Sequence, residues 1–98
     1  MKHAFVEIVG PCNERQYTDR NGQPQTFAER VVKLNDGINT VNAFLTGDRA
    51  RRAPNFAVGD YVRVELSAQA REWDTQAGEK RYETVVYLER IAPWWKNK

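Results

Sequence analysis

Cysteine and histidine are almost missing from this chain, which has one of each, Cys12 and His3. An intramolecular disulfide is therefore excluded. Two such residues also fall short of the four ligands that a structural Cys/His zinc site draws from one chain. No run of about 18 apolar residues exists, so the sequence offers no transmembrane helix and no membrane partner. Met1-Lys2-His3-Ala4-Phe5 lacks the apolar block of a signal peptide, so a cytoplasmic location is expected. No glycine loop of the phosphate-cradling Walker type appears. No serine or cysteine stands with a recognisable base, and the acidic residues show no metal-ligand spacing. The expectation is a binding protein without catalysis, metal, cofactor or small-molecule substrate. A large charge of one sign is also lacking. Fifteen basic residues face 13 acidic ones, a net +2, so bulk charge does not by itself point to nucleic acid.

What is present is strand pattern. His3 to Val9 reads as a first strand, ended by Gly10-Pro11. Residues 11 to 24 are polar and broken by Asn13, Asn21-Gly22 and Pro24, as in a long loop or a loosely paired hairpin. Thr26 to Asn35 reads as a second strand. Its alternation sets Ala28, Arg30, Val32 and Leu34 against Phe27, Glu29, Val31 and Lys33. Neither set is cleanly apolar, so one face is expected to meet the core and the other a ligand. Asn35-Asp36-Gly37 is the strongest turn signal, and Ile38 to Leu45 follows as a third strand. Thr46 to Asn55 is a connection with room for one helical turn around Asp48 to Arg52. A fourth strand runs from Asp60 to Ala70 and a fifth from about Lys80 to Ala92, with Pro93 ending it. Phe5, Val6, Ile8, Val62, Val64, Leu66, Val86 and Leu88 are expected in the core or an interface.

The stretch between the last two strands carries the chemistry. Arg71 to Tyr82 reads as a hairpin tip turning at Thr75 to Gly78, where glycine takes a positive φ without steric cost. It collects Arg71, Trp73, Lys80, Arg81 and Tyr82. Cations interleaved with flat aromatics suit a flexible polyanion with exposed bases. Tyr82 is placed near Trp73 across the hairpin, either as a base contact or as its cross-strand partner. Packing of Trp73 across a dimer interface or on the barrel is the alternative to stacking. Arg49, Arg51, Arg52 and Arg63 form a second basic concentration, read either as a solvated face or as a contact surface.

Five short strands with little helix in one small domain suggest an all-β, five-stranded barrel of the oligonucleotide/oligosaccharide-binding (OB) type with long β-hairpins. The domain is assigned to residues 1 to 93, and residues 94 to 98 form a short aromatic and basic tail. There Trp94 and Trp95 point opposite ways, one towards the barrel's open end and one towards a partner.

Two resemblances sharpen this. "GDYVRVEL" followed by "REWDTQAGEKRYETVV" resembles the fourth strand, long hairpin and fifth strand of bacterial single-stranded DNA-binding proteins. That resemblance implies base stacking by Trp73, flanked by Arg71 and Lys80. "RNGQPQTFAER", "FAVGDYVRVELS" and "LERIAP" resemble segments of the helix-destabilising proteins of filamentous phages. It implies phosphate contacts from Arg15 and Arg20 and packing of Phe27 on bases, with core packing the alternative for Phe27. The chain departs from the phage pattern in having Gln23 where a lysine is expected and a long hairpin where theirs is short. Lys33 and Arg63 project from sheet faces and complete the candidate set. The resulting expectation is a homodimer that coats single-stranded DNA during replication with little sequence preference. The alternatives are a replication-restart or RNA-binding module of the same fold, and a protein-interaction barrel.

Overall fold

The computed structural model describes residues 1–94, so Trp95, Lys96 and Lys98 of the tail lie outside the described residues. The elements are β1 (His3–Val9), β2 (Asn13–Thr18), β3 (Pro24–Asn35), β4 (Thr40–Thr46), α1 (Asp48–Arg51), β5 (Tyr61–Asp74) and β6 (Lys80–Pro93). They form one sheet in the order β1-β5-β6-β4-β3-β2, with a further pairing of β1 to β3. Five strands therefore close a ring of pairings, and β2 flanks β3 outside it. Every pair is antiparallel except β4–β6. The chain is all-β, with six strands among the described residues where five are expected.

The extra strand is β2. All six of its residues are exposed, so no apolar alternation announces it. It is held by its ladder to β3, from Asn13 opposite Glu29 to Thr18 opposite Pro24, and by the turn that follows. In that turn the Asp19 carboxylate accepts from the Asn21 and Gln23 amides, both at 2.9 Å, and from Gln25 Nε2 at 3.2 Å. A side chain that replaces backbone acceptors in this way makes a tight turn without apolar packing.

Inside the ring lie Ala4 and Val6 of β1, Ala28, Val32 and Leu34 of β3, Ala43 and Leu45 of β4, Val62 and Val64 of β5, and Leu88 of β6; Ala50 of α1 and Phe56 join them. Alternation places these side chains on one face of each strand. Arg30 falls on that same face of β3 and explains its mixed pattern. Its guanidinium donates to the Gly10 carbonyl at 2.8 Å and to the Ala50 carbonyl at 3.1 and 3.0 Å. It ties β1's end and α1 to β3 where the apolar core gives out.

Phe5 and Ile8 are not core residues: they are 53% and 50% exposed. Ala4 and Val6 face inward, so Phe5 faces out. A register shift between Val6 and Ile8 then sets Ile8 opposite Lys33 on the outer side. The third strand begins at Thr40 rather than Ile38, because Ile38 belongs to the turn. There the Asp36 carboxylate accepts from the Ile38 and Asn39 amides at 2.9 and 2.6 Å, and Ile38 is left in solvent. His3 opens β1, as its residue pattern predicts. Its ring lies 6.0 Å from that of Tyr61 and meets Trp94 edge-on at 4.4 Å.

Candidate nucleic-acid interface

Beyond the ring the last two strands continue as a free ribbon. From Gln69 opposite Val85 to Asp74 opposite Lys80, β5 and β6 pair only with each other. The turn closes with the Thr75 amide donating to the Glu79 carbonyl at 2.8 Å and the Gly78 amide to the Thr75 carbonyl at 3.0 Å. Gly78 has φ +80°, the left-handed conformation that glycine adopts most readily.

Directly opposed residues share a face of the sheet. The register therefore decides which hairpin side chains act together. Trp73 lies opposite Arg81 and Arg71 opposite Glu83, so Trp73, Arg71 and Arg81 occupy one face. Tyr82 lies opposite Glu72 and Lys80 opposite Asp74, on the other face. Tyr82 is thus not the cross-strand partner of Trp73: the one-residue offset places it behind the ribbon. Lys80 is also drawn away from Trp73, with its Nζ 3.7 Å from Glu72 Oε1.

The Trp73 face continues into the outer surface of the ring. Val31 opposes Phe44, Phe44 opposes Tyr87, and Tyr87 opposes Ser67, which makes one row across β3, β4, β6 and β5. Arg71 Nη2 donates to Tyr87 Oη at 2.7 Å and links this row to the hairpin. The β2–β3 ribbon adds Arg15 opposite Phe27 and Tyr17 opposite Gln25. The Arg15 guanidinium sits 5.6 Å from the Phe27 ring centre and 3.3 Å from Glu29 Oε1. Phe27 is on the outer face of β3, opposite in sense to the buried Ala28, so it is not a core residue. Tyr17, Phe27, Phe44, Tyr87 and Trp73 consequently share one side of the sheet with Arg15, Arg71 and Arg81.

The other predicted residues sit apart from this surface or at its edge. Arg20 is exposed in the turn after β2. There the Gln23 amide, more than any other group, holds the Asp19 pKa below its ordinary value, with Gln25 and Asn21 adding to it. Lys33 pairs with Glu7 at 3.5 Å. Arg63 lies in a cleft beside α1 with Arg52, Glu65, Glu89 and Arg90. The arginine run before it divides. Arg51 binds Glu14 at 2.7 Å and Asp48 at 3.3 Å, and these partners raise its basicity further, the Glu14 hydrogen bond most. Arg49 is engaged by Glu89, whose carboxylate is 3.6 Å away and whose carbonyl also accepts from it.

Tyr17, Phe44 and Tyr87 are absent from the sequence-derived set. A signal existed for Phe44: Ala43 and Leu45 alternate inward, so the large ring between them must face out. For Tyr87 the same holds between Val86 and Leu88. Among the described residues no group of three or more metal-capable side chains occurs, and no helix is long and apolar enough to cross a membrane. Compared with known proteins, the chain matches no protein-family model, no curated sequence and no solved structure.

Proposed function

We propose that this chain is an OB-like module that binds single-stranded DNA with little sequence preference and coats it during replication. The observation that carries the reading is the shared outer face: five aromatic side chains from β2, β3, β4, β5 and β6, interleaved with Arg15, Arg71 and Arg81. Bases of any identity stack on such rings, at about 1–3 kcal/mol per base. Guanidiniums between them meet phosphates, often through two hydrogen bonds at once. The closed ring of five strands supports the OB-like assignment, because that fold is a five-stranded, partly open barrel whose sheet face and loops take oligonucleotides. The two ribbons at Arg15–Tyr17 and Arg71–Trp73 lengthen this face beyond the ring.

Binding by this surface selects splayed strands. Bases stacked on Trp73 or Phe44 are unavailable for pairing, so the protein draws duplex towards single strand by mass action. Phosphate contacts release counterions, and affinity falls with salt. The net charge of +2 makes stacking the larger share.

The test is tryptophan fluorescence on titration with oligo(dT) at low and at moderate salt. Saturable quenching that weakens with salt is expected. No quenching and no gel shift at low salt overturns the reading.

A second reading concerns self-association. His3, Phe5 and Tyr61 form an aromatic group on the outer side of β1 and β5, with Phe5 and Tyr61 centroids 4.8 Å apart. Phe5, Ile8 and Trp94 of this region are each close to half exposed. Such a patch suits a homodimer contact. Light scattering of the wild type and of Phe5→Ser tests it: a dimer that becomes a monomer supports the contact, and a wild-type monomer removes it.

A further inference from the structure

The cleft beside α1 has a composition that the outer face does not explain. It measures about 730 Å³ and lies between the segment 52–56 and strands β5 and β6. Its lining includes apolar Leu45, Phe56, Val64 and Ile91, of which the first three are buried. Four guanidiniums and two carboxylates surround this floor. Arg49 is paired with Glu89 and Arg90 with Glu65, at 3.6 and 3.5 Å. Arg52 and Arg63 are exposed and have no acidic partner among the described residues. The cleft therefore carries two uncompensated positive charges at the edge of an apolar floor.

We propose that this cleft is a binding site for a nucleoside monophosphate. The volume falls within the roughly 300–1,000 Å³ of pockets that take one small ligand. The floor suits a planar base, which buries apolar area against Phe56 and Ile91. Arg52 and Arg63 supply what a phosphate dianion requires, because guanidinium forks match phosphate oxygens and stay charged at every working pH. An acidic peptide fits less well: it distributes its charges along an extended groove, whereas here both unpaired cations serve one concave site. The strand-coating surface shares no aromatic residue with this cleft. The two sites are thus separable by mutation, and the inference does not rest on the coating reading.

The experiment is an amide-resolved NMR titration of the full chain with adenosine 5′-monophosphate, with adenosine and inorganic phosphate run separately. Saturable shifts are expected in the segment 52–56 and in strands β5 and β6 around residues 63–65 and 89–92. Each half-ligand should bind at least about tenfold more weakly, because it forfeits either the charged hydrogen bonds or the apolar contact. Arg52→Gln and Arg63→Gln should each weaken the nucleotide by roughly tenfold or more. Both side chains are exposed, and an unchanged spectrum without ligand verifies that the variants fold. Glu65→Gln should tighten binding, since it removes an acid from the rim and releases Arg90. Trp73→Ala should leave nucleotide binding unchanged. Absence of shifts with millimolar nucleotide overturns the proposal. So do shifts on the β3–β4–β6 face instead of the cleft, shifts indifferent to Arg52 and Arg63, or cleft shifts with oligo(dT) but none with the mononucleotide.

Discussion

Trp73 and Tyr82 stand on opposite faces of one hairpin, because the register sets Trp73 against Arg81 and Tyr82 against Glu72. The Trp73 face carries Arg71 and Arg81 against the single carboxylate of Glu83, and continues into the ring's outer surface. The Tyr82 face carries Glu72 and Asp74 with Lys80, an acidic balance that repels phosphate. Trp73→Ala is therefore expected to weaken oligo(dT) binding by the worth of one stacked base, about 1–3 kcal/mol. Tyr82→Ala should change it little, although Tyr82 is the more exposed ring at 73% against 47%. Anisotropy with a labelled oligonucleotide measures both. Equal losses would mean that the strand wraps the hairpin rather than lying on one face.

Phe44 and Tyr87 face each other in the parallel β4–β6 pair, at the centre of the proposed surface. Phe44→Leu keeps apolar bulk on the sheet and removes the ring, so affinity should fall roughly fivefold or more while the fold persists. Tyr87→Phe keeps the ring and removes only the hydroxyl that holds Arg71. Its affinity loss should be smaller and should appear mainly as a weaker salt dependence, because Arg71 is no longer fixed over the face. Salt-dependent titrations of the two variants separate the contributions. Wild-type affinity in Phe44→Leu would move the strand off the ring and onto the ribbons alone.

The turn after β2 has a pH dependence of defined sign. Amide donors, that of Gln23 first, lower the Asp19 pKa from the ordinary 3.8. A carboxyl with a depressed folded pKa stabilises the folded turn fully above its unfolded value, and this stabilisation is lost as pH falls through the folded value. Acidification below about 3.8 should release the Asn21 and Gln23 amides before the ring unfolds. Amide chemical shifts across an acid titration report this. In Asp19→Ala the turn should be already loosened at neutral pH, with no further acid step at these two amides. A midpoint at or above the ordinary aspartate value would contradict the hydrogen-bonded geometry.

How much of this was legible depends on where each partner lies. β1, the Asn35-Asp36-Gly37 turn and the helical turn at Asp48–Arg51 are local patterns, and residue types alone define them. β2 is exposed on both faces, so no period marks it, and its pairing with β3 is stabilised by the backbone ladder. Trp73 was visible as an aromatic beside cations, but its face was not, since a shift of one residue exchanges the two sides of a hairpin. Phe44 and Tyr87 meet through the parallel β4–β6 pairing, which joins segments some forty positions apart in the sequence. The run Arg49 to Arg52 looked uniform. Only the folded chain brings Glu14 to Arg51 and Glu89 to Arg49, leaving Arg52 with Arg63 in the cleft.

Arg30 and Gly10 together make the junction most sensitive to substitution. Arg30 is an ionised group on the core face, and its hydrogen bonds reach carbonyls of two other segments. Arg30→Met retains much of the bulk but strands those carbonyls without a charged donor, which costs about 2–4 kcal/mol. For a domain of this size that lowers Tm by roughly 10 °C or more. Gly10 fails differently. A Cβ there would stand 2.8 Å from Val31 Cγ1 and 3.2 Å from the Val31 carbonyl, the same carbonyl that accepts from the Gly10 amide. Gly10→Ala should therefore destabilise by about 1–3 kcal/mol through overpacking. Adding Val31→Ala removes the closest clashing atom but not the carbonyl, so the double variant should recover part of the loss and no more. A thermal-denaturation double-mutant cycle measures that coupling. Strict additivity of Gly10→Ala and Val31→Ala would show that the carbonyl, rather than the methyl, sets the limit at this junction.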